Sequence, residues 1–183
     1  MFKLGHIVEG EWVEYSHPAV FEHQTTDSGT ARLRLGIPGG DVEIVRSLAR
    51  CMEQPYYILY VLLTPRGEGN AGRYQSPLVD GVQLDAFLSQ YADYFRSDGR
   101  FALWIHSPSL QATLAWDHHN LLYAYGPLPR FEEALRAIGF TPGQASMSVP
   151  HAHNYHSECD TDAAAILVHF DWRRSELQPG DDD

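Results

Sequence analysis

The sequence predicts an α+β fold, a single domain over residues 1–183 in which a mainly antiparallel sheet of about five to seven strands carries three packed helices. Three observations lead there. The short apolar runs "RFALWIH", "ATLAW" and "LLYAY" follow one another with only "SPSLQ" and "DHHN" between them, the pattern of an antiparallel meander. Strands and helical stripes occur in the order strand, helix, strand, helix, three strands, helix, strand, without the strict alternation of a doubly wound parallel sheet. No internal repeat, low-complexity block or long linker divides the chain.

Residues 1–30 are polar and weakly periodic, and an irregular N-terminal segment is expected there. "ARLRLGI" alternates Leu33 and Leu35 with Arg32 and Arg34, as a half-buried strand should. Asp41 is placed to cap a helix on which Val45, Leu48, Ala49 and Met52 recur at helical spacing, and Pro55 stops it. "YYILYVLL", residues 56–63, is apolar throughout and predicts the middle strand of the sheet, covered on both faces and open to a parallel neighbour. Asp80 and Gln83 form a capping-box pattern ahead of a stripe of Leu84, Phe87, Leu88, Tyr91 and Phe95, with Gly99 as the closing residue. After the meander, a helix with Pro129 in its first turn puts Phe131 and Leu135 on one face and ends at Gly139, with Phe140 set for the accompanying apolar contact. "AAAILVHFDW" predicts a final strand, and residues 176–183 an acidic, frayed tail.

Composition narrows the function classes. With 44% hydrophobic residues the chain can bury a sizeable core, and no apolar stretch approaches the ~18–20 residues that span a bilayer. Its first residues lack an apolar run behind a basic segment, so a soluble, cytoplasmic protein without membrane contact is expected. Cys51 and Cys159, far apart in the chain, are expected to be free thiols. The net charge of -11, from 13 basic and 24 acidic residues, argues against nucleic acid as a partner. From Ser157 to Asp183 eight acids face only Arg173 and Arg174, so the acidity is concentrated at one end.

Several short stretches carry ligand-capable residues. "GEGNAG", Gly67 to Gly72, has the spacing of a dinucleotide-binding loop, but "RYQSP" follows where a helix would have to begin, which leaves a glycine loop flanked by Arg66, Arg73 and Tyr74. In "WDHHN", Asp117 suits the first position of a turn and Asn120 its left-handed position, so the stretch reads as a hairpin tip. Adjacent His118 and His119 serve one site only if the backbone turns between them. "HAHNYHSECD", residues 151–160, is the densest cluster. Extended backbone would send His151 and His153 to the same face, and a turn at Asn154 would return His156, with Asp160 or Cys159 as a fourth ligand for a divalent metal such as zinc. Asp117 and His118, and after them His106 and His169, are further candidates for that shell. Cys159, among acids, is expected to be a poor thiolate.

Two functional readings follow. Four tryptophans, ten tyrosines and eight phenylalanines on an acidic chain suit a protein-binding domain that recognises a basic partner through complementary charge and aromatic anchors. In these bulk features the chain resembles bacterial immunity and inhibitor proteins that neutralise basic nucleases. The alternative is a divalent-metal-binding protein or metal-dependent hydrolase, in which the histidines of 151–156 hold the ion and Asp117 or Asp160 activates water.

Overall fold

A computed structural model describes residues 1–147 and 149–181. In chain order the strands and helices are β1 (Leu4–Val8), β2 (Glu11–Glu14), β3 (Val20–Thr25), β4 (Ala31–Gly36), α1 (Val42–Ala49), β5 (Tyr57–Leu62), β6 (Gly72–Gln75), α2 (Gly81–Gln90), α3 (Ala92–Ser97), β7 (Phe101–Ser107), β8 (Ala112–Trp116), β9 (Leu121–Tyr125), α4 (Leu128–Ala137), β10 (Thr141–Pro142), β11 (His151–His153), α5 (Asp160–Ile166) and β12 (Arg173–Ser175). The fold is α+β. Among the described residues one sheet has nine strands in the order β10-β3-β4-β9-β8-β7-β5-β6-β12, a second has three in the order β11-β1-β2, and there are five α-helices, so both strands and helices outnumber the expectation. Among the described residues no helix is long and apolar enough to cross a membrane.

The large sheet is antiparallel except where the two-residue β10 runs parallel to β3 at one edge. Register divides its residues cleanly between two faces. Leu33, Leu35, Leu103, Ile105, Leu114, Trp116, Leu122, Ile58, Tyr60 and Leu62 point to the face that α1–α5 cover, and all are buried there. The alternate positions, among them Arg32, Arg34, Trp104, Thr113, Ala115, Tyr123 and Tyr125, form a half-buried face without a helix on it.

Several expectations meet the structure in detail. Asp41 caps α1 by accepting from the Glu43 amide, Asp80 and Gln83 make the reciprocal capping box of α2, and Gly139 ends α4 in the left-handed conformation while the Phe140 amide donates to the Leu135 carbonyl. The "RFALWIH", "ATLAW" and "LLYAY" runs are the β7-β8-β9 meander.

Others are corrected. Residues 1–30 are not irregular: they supply all of β1, β2 and β3, whose mixture of exposed and buried positions hid the period. β5 lies third from an edge, with antiparallel partners on both sides. "AAAILVHFDW" is not a strand. Three consecutive alanines behind Asp160 and Asp162 favour a helix, and Ala163 and Ile166 bury one side of α5 at i, i+3 spacing. His169 therefore sits in the turn after α5, where its Nδ1 meets the Tyr91 hydroxyl. Within the acidic tail the Asp181 carboxylate approaches the Arg73 guanidinium at 3.9 Å and accepts from the Gln178 amide; Asp182 and Asp183 lie outside the described residues.

One buried ion cluster locks the chain segments near the sheet's end. Arg100 and Asp98, both fully buried, form a two-pronged pair at 2.8 and 2.9 Å, and Arg100 also donates to Glu68 and Asp160. It donates as well to the His156 carbonyl, while Asp98 accepts from the His156 amide. Burial disfavours the charged guanidinium, but the hydrogen bonds and charge of Asp98 outweigh this and hold its pKa above the ordinary value. Asp98→Asn is predicted to lower unfolding free energy by about 3–5 kcal/mol in urea titration, because it leaves a buried cation underpaired. Asp160→Asn, at a side chain 42% exposed, should cost clearly less.

Candidate metal centre

The turn between β8 and β9 builds one half of the site. Asp117 Oδ1 accepts the amides of His119 and Leu121, and Asn120 takes the left-handed conformation at φ 57°, so the chain reverses within Asp117–Asn120 as the residue types require. Because the backbone turns, His118 and His119 do not diverge; their ring centroids are 4.1 Å apart. His17 fixes this turn from the side by donating Nε2–H to the His119 carbonyl.

β11 builds the other half. It pairs with β1, Leu4 opposite His153 and His6 opposite His151. The Gly99 amide donates to the Asn154 carbonyl, and a Cβ on Gly99 would lie 3.0 Å from that of His153, so glycine permits β11 to come this close to the start of β7. The Asn154 amide donates to the Lys3 carbonyl, tying the N-terminus into the same place.

The result is a cluster of His118, His119 and His153, each offering one ring nitrogen within 4.8 Å of the others. The His118 and His153 ring centroids are 4.5 Å apart, and those of His119 and His153 4.8 Å. His118 is buried and the other two are half-buried. A tetrahedral ion with bonds of about 2.0–2.1 Å needs donors about 3.3 Å apart, so modest rotation of the rings closes the set. His118 Nδ1 and His153 Nε2 are buried and have no hydrogen-bond partner among the described residues. Such an orphan group costs about 1–3 kcal/mol unless something accepts or coordinates it.

The imidazoles are held neutral, with lone pairs available. Burial first, and then the charge of neighbouring histidines and Lys3, pushes His118 down to about 3 and His119 and His153 down to about 4. Lys3 is fully buried against Phe101 and Trp116, with its Nζ 3.3 Å from the Asp117 carbonyl. Burial lowers the Lys3 amine and raises the Asp117 carboxyl.

His151 stands beside the cluster, its ring 5.2 Å from that of His119 and 5.5 Å from that of His153. Since a carbonyl only accepts, its Nδ1–H donates to Val149 O, which leaves Nε2 as the lone-pair nitrogen. An apolar depression of about 460 Å³, lined by Ile7, Trp12, Val149 and Pro150, opens alongside His151.

The other residues singled out in the sequence are placed elsewhere. His156 donates Nε2–H to the Phe2 carbonyl, and Asp160 pairs with Arg100 and Arg66. Asp117 holds the turn; its Oδ2 is 3.9 Å from His119 Nδ1. Cys159 is buried and its thiol pushed up to about 11, chiefly by burial, which suits it to packing rather than to ligation. His106 Nδ1 meets the Thr113 hydroxyl, and His169 is bound to Tyr91. His119 is not among the ligands the sequence suggests, although the turn that brings it beside His118 is legible in "DHHN". Comparison with known proteins finds no matching family model, no matching curated protein and no matching solved structure.

The depressed histidine values fix a pH dependence. Between about pH 6.5, where an unfolded imidazole titrates, and about pH 4, the unfolded chain takes up protons that the folded cluster refuses. The histidines' contribution to the stability of the metal-free protein is therefore fully present above about pH 6.5 and is lost as pH is lowered. Asp117, raised by burial, works in the opposite direction. The urea midpoint is predicted to drop between pH 7.5 and pH 5.0, and to drop by less in a His118→Gln, His153→Gln variant that keeps Asp117. Equal drops in both proteins would contradict neutral burial of these rings.

Proposed function

We propose that the protein binds a divalent transition-metal ion of the zinc class through His118, His119 and His153. The observation that carries this reading is the meeting of three imidazoles, two of them with buried, unpartnered ring nitrogens. Imidazole nitrogen suits zinc and its neighbours, and three protein ligands leave a fourth position for water or for His151. Such an ion supplies activated water at neutral pH, the chemistry of hydrolysis. His151 presents Nε2 beside that position, and the apolar depression next to it gives a substrate space.

The test is calorimetric. Full-length protein stripped with chelator should take up one equivalent of zinc. His118→Ala with His153→Ala should weaken binding by more than about a hundredfold, beyond the 10–100-fold typical of losing an outer hydrogen-bond partner. His156→Ala should leave the affinity unchanged. No uptake by the parent, or uptake that depends on His156 instead, would overturn the assignment.

A basic protein partner remains a second reading, favoured by the β1–β2 hairpin. There Ile7, Val8 and Trp12 are exposed, the Trp12 ring lies across Gly5, and Glu9, Glu11 and Glu14 surround them. An apolar patch with an acidic rim suits a partner whose own anchor is ringed by Lys or Arg. On this reading Trp12 fluorescence should respond saturably to a basic, leucine-containing peptide at low salt and lose most of the response at ~0.5 M salt, where charge is screened within a few ångströms. A response indifferent to salt, or none, would count against it.

A further inference from the structure

The helix-free face of the large sheet holds a cleft of about 440 Å³ that the metal centre does not use. Register places Trp104, Ala115 and Tyr123 side by side across β7, β8 and β9 on this face. The two aromatic residues are thus two strand spacings apart, about 9.6 Å, with only a methyl group on the floor between them. An arginine covers each ring: the Arg32 guanidinium lies 4.4 Å from the Tyr123 centroid, and that of Arg73 5.4 Å from the Trp104 centroid. Arg32 comes from β4, beyond Tyr123, and Arg73 from β6, beyond Trp104; Gly180 and Asp181 of the C-terminal segment also line the cleft, with the Asp181 carboxylate 3.9 Å from Arg73 Nε.

The slot is polar at both ends. Thr113 and Asp117 flank Ala115 two residues away on either side along β8, about 13 Å apart, and both line the cleft. At the Thr113 end, Arg32 donates to Tyr125 Oη and Gln24 Oε1, which fixes its fork. Among the described residues Arg32 meets no carboxylate, and it lines the cleft. At the other end Asp117 Oδ1 is taken up by the His119 and Leu121 amides, and Oδ2, 3.9 Å from His119 Nδ1, is the acceptor that remains.

We propose that this cleft binds a purine nucleoside monophosphate. The flat base stacks between Trp104 and Tyr123, its N–H edge donates to Asp117, and the phosphate reaches the Arg32 fork beside Thr113 and Tyr125. Each part of the ligand answers one part of the site: stacking tolerates a heteroaromatic ring, a carboxylate selects a donor-bearing edge such as that of guanine, and a planar fork suits phosphate. The volume matches small-molecule sites, which lie at about 300–1,000 Å³. None of the three clustered histidines lines the cleft; Asp117 is the residue common to both places, so the cleft is tested with metal removed.

Nitrogen-15 NMR of the full chain, with chelator present so that metal plays no part, provides the test. The probes are guanosine 5′-monophosphate, guanosine and ribose 5-phosphate, and the readout is the Trp104 indole N–H, assigned by its absence in Trp104→Phe. The monophosphate should shift that signal saturably. Guanosine should bind at least about tenfold more weakly for want of the charge-assisted bonds, and ribose 5-phosphate should leave the signal in place. Arg32→Gln should reduce the monophosphate to the affinity of guanosine. Ala115→Leu, which fills the slot from its half-buried floor, should abolish binding of both without unfolding the chain, and so tests the site even if the Arg32 variant fails to fold. No saturable shift with the monophosphate, equal affinity for it and guanosine, or an unaffected Ala115→Leu variant would overturn the proposal.

Discussion

The buried pair of Arg100 and Asp98 is the constraint on which the arrangement of this molecule depends. A guanidinium removed from water must have its donors met, and here they reach four separate places in the chain: Asp98 ahead of β7, Glu68 in the glycine loop, the His156 carbonyl and Asp160 at the start of α5. Asp98 returns the favour by accepting the His156 amide. Segment 154–160 is thereby held against the start of β7, and β11 just before it is delivered to the β8–β9 turn. A charge pair that contains no histidine side chain thus helps to bring together the two distant stretches that form the histidine cluster.

This explains what the sequence did and did not make legible. Local chemistry was readable. Asp41, the Asp80–Gln83 pair, Gly139 and the Asp117–Asn120 turn satisfy backbone groups within a few residues of themselves, so residue type and spacing suffice to place them. The meander was readable for the same reason, since its strands alternate and its connections are short. Where apolar runs lacked an alternating partner, as in "AAAILVHFDW", the period was ambiguous and alanine's helical preference decided the outcome.

The site was readable only in part. His153 and His118 were recognisable as ligand types, and the turn that adds His119 could be foreseen, but the convergence of residues 118 and 153 depends on pairing of β11 with β1 and on the close approach at Gly99. Neither leaves a local trace. Density of ligand types misled in the other direction: within "HAHNYHSECD", His156 and Asp160 meet backbone or arginine partners that lie far away in sequence, at Phe2 and Arg100. Counting donors in a short window cannot distinguish those that structure consumes from those it leaves with open lone pairs.

The two faces of the large sheet differ in kind. One is closed by five helices into an aromatic-rich core, and the other keeps Arg32, Trp104, Tyr123 and Tyr125 half-exposed, with the three-stranded sheet and its histidines at the end of the same strands. The central claim, that His118, His119 and His153 hold a metal, is tested most directly by X-ray absorption at the zinc edge of the loaded protein. The account predicts three imidazole nitrogens at about 2.0–2.1 Å, with one further nitrogen or oxygen and no sulfur. A sulfur neighbour at about 2.3 Å, or an ion surrounded by oxygen with no imidazole scattering, would contradict it.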